Sequence, residues 1–132
     1  MRTLLIAAAA LLLARAAFAQ TYASPPPGSL ERRAILDAMR PRVERQLGAP
    51  VEFVVREIRV GGGWAFVQAD PQRPGGGAIE NPIEEADGVH TEAILRKAGV
   101  RWVVQDLGVG STDVWWLAWC DRVPAGLMQG CG

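Results

Sequence analysis

The sequence predicts an α+β fold: an N-terminal amphipathic helix packed on a four-stranded antiparallel sheet, with a short C-terminal helix. Three observations carry this. Ile35, Met39, Val43 and Leu47 recur every four residues, which places one apolar stripe on a helix. Runs rich in β-branched and aromatic residues at 51–60, 64–69 and 101–109 are bounded by glycine turns. Ser111, Thr112 and Asp113 offer caps to residues 114–122, which Pro124 stops. Helices on one face of an antiparallel sheet are the natural packing for such an order.

Each element has a local reason. Ser29 is placed to cap the first helix, and Glu31 sits in its first turn, where a negative charge complements the dipole. Pro41 lies inside the apolar stripe, so one bent helix is expected, ended by Gly48 and Pro50. Gly61-Gly62-Gly63 turns the first strand into the second. Residues 70–87 hold prolines, glycines and the acidic side chains Glu80, Glu84, Glu85 and Asp87, and read as a long loop. Residues 91–98 have a helical composition, but Gly99 and the alternating Trp102 and Val104 favour the first arm of a hairpin.

The chain has 132 residues, formal net charge zero, 49% apolar residues and mean hydropathy +0.09. Part of that apolar content belongs to residues 1–19. Arg2 opens them, an uncharged run from Thr3 to Ala14 follows, and Ala17-Phe18-Ala19 matches a small-x-small cleavage site, with Gln20 next. They read as a signal peptide, too short to span a bilayer. Residues 20–28, with Pro25-Pro26-Pro27, read as an extended, mobile leader, and residues 29–132 as one domain. Thirteen arginines against one lysine point to a GC-rich, bacterial source. The expected location is the periplasm or beyond, with no membrane span after cleavage. Near-neutral charge argues against nucleic acid as a partner.

Cys120 and Cys131 are the only cysteines, and an oxidising compartment permits a bridge between them. Two free thiols are the alternative, and the sequence leaves both open. No metal site or cofactor is expected, because two cysteines and one histidine fall short of a zinc ligand set. His90, flanked by Asp87 and Glu92, reads as a solvated loop histidine. The acidic residues of the loop lack the alternating spacing of a calcium loop. Gly108-x-Gly110-x-x-Asp113 lies where a dinucleotide fingerprint would, but Asp113 replaces the third glycine and no βαβ unit follows.

Trp115, Trp116 and Trp119 are the most distinctive cluster. On an α-helix Trp115 and Trp119 share a face while Trp116 points about 100° away. The expectation is therefore Trp115 and Trp119 on the sheet and Trp116 at the rim. A functional reading makes the three an aromatic binding platform for a glycan, a lipid or a protein.

The segments Ala34-Ile35-Leu36-Asp37-Ala38-Met39-Arg40-Pro41, Val51-x-Phe53-Val54-Val55, Gly63-Trp64-Ala65-Phe66-Val67, Arg101-Trp102-Val103-Val104 and Gly110-Ser111-Thr112-Asp113-Val114 resemble, in this order, a family of small exported bacterial proteins of unassigned function. That family is similar in element order to cystatin-like and nuclear-transport-factor-like α+β domains. The resemblance implies a sheet wrapped around a helix and says nothing of activity. The first hairpin reads Val60-Gly61-Gly62-Gly63-Trp64 and lacks the Gln-x-Val-x-Gly inhibitory turn of cystatins. The functional expectation is a non-catalytic binding or interaction module of the cell envelope, its partner protein or ligand unknown. The alternatives are a small-molecule-binding or enzymatic domain with a pocket between helix and sheet, and a cystatin-like protease inhibitor.

Overall fold

A computed structural model describes residues 21–132; the expected signal peptide and its cleavage site lie outside the described residues. The helix α1 spans Leu30–Leu47. Ser29 is its N-cap, accepting from the Arg32 N–H at 3.2 Å, and Gly48 closes it in the left-handed region at φ 66°. The buried stripe is Ile35, Met39, Val43 and Leu47, as the four-residue spacing predicts. Pro41 leaves the helix continuous. It sits on the exposed side, so the Asp37 carbonyl it deprives of a donor can meet water.

Two side chains of α1 set its position on the sheet. Arg40 donates to the Val51 carbonyl, and the Glu44 carboxylate accepts from the Val51 N–H at 3.1 Å. Both backbone groups of the residue entering the first strand are thereby satisfied from one helix turn.

The strands β1 (Glu52–Gly61), β2 (Trp64–Gln72), β3 (Thr91–Ala98) and β4 (Arg101–Val109) form an antiparallel sheet in sequence order. Residues 91–98 are therefore a strand, and β2 runs three residues past the predicted end at Ala69. Gly62 and Gly63 both have positive φ in the first hairpin, the conformation a two-residue turn needs to match strand twist. Two bulges interrupt the ladder. Arg56 is extra in β1 between Val55 and Glu57, and Gln105 is extra in β4 opposite the step from Ile94 to Leu95.

The sheet is covered on both faces, which overturns the expectation of helices on one face. Ala65, Val67 and Ala69 of β2, Ala93 and Leu95 of β3, and Trp102, Leu107 and Val109 of β4 pack under α1. The intervening residues Phe66 and Ile94 point the other way. They join Val123, Leu127, Met128 and Cys131 in a second buried cluster, with six further aromatic or sulfur side chains at its edge, among them Trp64 and Trp116. In β3, Thr91 to Leu95 are buried without a break, the pattern of a strand enclosed on both sides.

The second cover is the C-terminal segment. Its only helix is a 3-10 helix at Trp115–Trp119, in place of the α-helix expected over 114–122. The N-cap is Val114, with no side-chain cap, so the expected capping by Ser111 to Asp113 does not occur; Ser111 instead donates to Asp113 at 2.9 Å. After it, Cys120 and Cys131 are bridged, with Cα atoms 5.2 Å apart. The leader is docked at the same side. Ala23 pairs with Val60, Pro25 is buried, and Tyr22 stacks under Arg59 while donating to the Ala125 carbonyl. Burial pushes the Tyr22 phenol above its usual range, and the Arg59 charge partly offsets this.

The bridge closes a short loop whose residues Val123, Leu127 and Met128 are buried on the sheet. Replacing both cysteines by serine should lower unfolding free energy by about 3 kcal/mol, read from the urea midpoint, with the m-value little changed. An unchanged midpoint would show that the tail holds its place without the bridge.

Candidate functional site

Three places on the fold bring chemistry-bearing side chains together. The first is the tryptophan cluster. Trp116 packs on Phe66 with ring centroids 5.7 Å apart, and Trp115 meets Trp116 edge-on at 6.0 Å. Trp119 lies edge-on to Trp64 at 6.4 Å and donates its indole N–H to Asp106 at 2.9 Å. The prediction of Trp116 at the rim is thus overturned. A 3-10 helix has three residues per turn, so Trp116 and Trp119 align on one side, and Leu117 and Ala118 are the exposed pair. The cluster also explains the glycine pattern of β4. A Cβ on Gly108 would lie 2.5 Å from Trp115 Nε1, and one on Gly110 would lie 2.5 Å from the Gly88 carbonyl oxygen. Both glycines serve close packing; neither faces a phosphate site.

The second place is a charged network on the same face. Glu92 has a side chain only 5% exposed, paired in register with Gln68 and Gly108. Its Oε1 lies 2.9 Å from His90 Nδ1 and 3.8 Å from Arg56 Nη2. Arg56, the bulge residue, also holds Asp70 at 3.0 Å, and His90 Nε2 faces Asp87 at 3.9 Å. Where Glu92 is ionised it can only accept, and His90 Nδ1–H is then the donor. His90 is therefore half-buried and bonded, where the sequence predicted a solvated loop residue. Glu92 Oε2 has no partner, and no hydroxyl or thiol among the described residues bonds to His90. The arrangement fixes the Glu92 carboxyl group from two sides, by His90 and Arg56. Among the described residues no group of three or more His, Cys, Asp or Glu can hold a metal ion; Glu80, Glu84, Glu85 and Asp87 are all exposed.

The third place is a cleft of about 620 Å³ between α1 and the edge strand β4. Arg42 and Arg45 project from the flank of the helix, Arg101 from the start of β4, and Trp102 and Val104 supply an apolar wall. None of the three guanidinium groups has a hydrogen bond, ion pair or ring contact among the described residues. A smaller cleft of about 290 Å³ lies on the opposite flank, between α1 and β1. There Arg32 donates to the Pro25 carbonyl, and Arg40 is committed to Val51, to Asp37 and to the Phe53 ring.

The sequence reading names Glu92 only as a neighbour of His90, and a pocket between helix and sheet only as an alternative without residues. Glu92 does alternate with Ile94, which is the available signal. Arg42 and Arg45 are three apart on one helix flank, but only the fold sets Arg101 opposite them.

If His90 serves to hold Glu92, His90→Ala should cost about 1–3 kcal/mol, because a buried carboxylate loses its nearest donor. In a Glu92→Leu background the same change should cost nearly nothing. Equal losses in both backgrounds, measured by denaturant unfolding, would show that His90 acts elsewhere. Compared with protein-family models, curated proteins and solved structures, the chain matches none.

Proposed function

We propose that the protein is an exported, non-catalytic binding module of the cell envelope whose ligand sits in the cleft between α1 and β4. The cleft carries this reading. It is within the size range of small-molecule sites, it has an apolar wall, and its three arginines are uncommitted. The other clusters are packed within the domain, where Glu92 Oε2 and the Trp115 and Trp116 indole N–H groups lack partners but are shut off from solvent. The tryptophans lie against the sheet, and the Glu92 network bonds internally. The aromatic platform of Trp115, Trp116 and Trp119 is thereby a less economical binding surface. An apolar leader with a small-x-small site and a bridged cysteine pair support export. No helix among the described residues is long and apolar enough to cross a membrane. The resemblance to small exported bacterial proteins belongs to the same proposal.

Two measurements test it. The intact mass of periplasmic material should correspond to a chain beginning at Gln20; retention of residues 1–19 in the soluble fraction would contradict export. In amide chemical-shift mapping with a mixture of neutral, cationic and anionic fragments, shifts should cluster at Ala38, Arg42 and 101–104. Shifts confined to Leu117 and its neighbours would place binding at the aromatic segment instead.

A further inference from the structure

We infer that the α1–β4 cleft takes a small amphiphilic anion, its phosphate or carboxylate head held by Arg42, Arg45 and Arg101 and its apolar body lying on Pro41 and Trp102. This rests on the cleft being the binding site proposed above. The charge inventory points to the ligand. Asp37 is the one carboxylate in the walls, and it is paired with Arg40 at 3.4 Å, which faces the other flank. Glu44 is likewise committed, accepting from the Val51 N–H. The third acidic residue of the helix, Glu31, lies 3.9 Å from Lys97, so the helix's acidic residues serve Lys97, Arg40 and Val51, and none pairs with Arg42 or Arg45. Along the helix, Arg42 has Ala38 and Gln46 four residues away, and Arg45 has Pro41, so no carboxylate stands at the spacing that would neutralise either.

Three cations around one cleft whose single carboxylate, Asp37, is paired with Arg40 repel one another, and an anion reduces that repulsion. Guanidinium forks suit both carboxylate and phosphate, since each presents paired donors to two oxygens. The walls therefore set three guanidinium groups against a single carboxylate, Asp37. Pro41, Trp102 and Val104 would be poorly used by an inorganic ion alone, and the length of the cleft along α1, from Asp37 to Arg45, accommodates a body behind the head.

Calorimetric titration of the mature chain tests this with four probes: dodecyl phosphate below its micellar concentration, inorganic phosphate, uncharged dodecyl glucoside, and phosphatidylglycerol vesicles. Dodecyl phosphate should bind one per chain, more tightly than either inorganic phosphate or the glucoside. Arg42→Gln, Arg45→Gln and Arg101→Gln should each weaken it about tenfold, with melting temperatures unchanged. Equal binding of the glucoside, insensitive to the arginine variants, would leave the cleft as a binding site and overturn the anion. Equal binding of inorganic phosphate would overturn the apolar body. Binding to vesicles without binding of the monomeric probe would overturn a small ligand in favour of a lipid surface. Absence of dodecyl phosphate binding, with fragments still mapping to the cleft, would sink this inference alone; fragments mapping elsewhere would sink it together with the binding-site reading.

Discussion

A four-stranded sheet has two faces, and one helix can cover only one of them. Every unusual feature of this protein follows from that shortage. The second face carries Phe66 and Ile94, almost fully buried, and fully burying each such side chain contributes about 1.5–3 kcal/mol. No second long helix exists among the described residues to cover them. The cover is instead a C-terminal segment with one short 3-10 helix, three tryptophans and a disulfide. Large aromatic rings provide much buried area per residue, and a bridge limits the freedom of a tail that has little regular hydrogen bonding of its own. The leader adds to the same cover through Tyr22.

The two-sided burial also accounts for the Glu92 network. Over Thr91 to Leu95, β3 is enclosed on both faces and its side chains do not reach water freely. Glu92 is therefore held by His90 at one side and by Arg56 at the other. The bulge at Arg56 places an extra residue there, and the absence of a Cβ at Gly108 makes room for the Trp115 indole beside the carboxylate. On the helix face the logic is inverse. The interior is apolar and the charges lie at the flanks, where Asp37 pairs with Arg40 while Arg33 on one side and Arg42, Arg45 and Arg101 on the other have no side-chain partner among the described residues.

The helix was legible because its stripe is strictly spaced and its ends carry Ser29 and Gly48. The strands were legible where residues alternate, as at Trp64 to Val67, and at 91–98 the glycine turn outweighed the helical composition. The second cover was not legible. Residues 120–132 have no period, so nothing local says that Val123, Leu127 and Met128 return to the sheet. The geometry of Trp115–Trp119 was misjudged for a related reason. An aromatic run is compatible with α or 3-10 spacing, and packing on Phe66 decides between them. The cationic cleft needed the fold itself, since Arg101 is far in sequence from Arg42 and Arg45.

The central claim is that the C-terminal segment seals the second face of the sheet. Nuclear Overhauser contacts between the Trp116 indole and the Phe66 ring test it most directly, because only this docking brings those side chains within van der Waals range. The account predicts strong cross-peaks from Trp116 to Phe66 and from the Leu127 and Met128 methyls to the Ile94 side chain. A Trp116 indole without contacts to Phe66, together with rapid solvent exchange of its N–H, would contradict it.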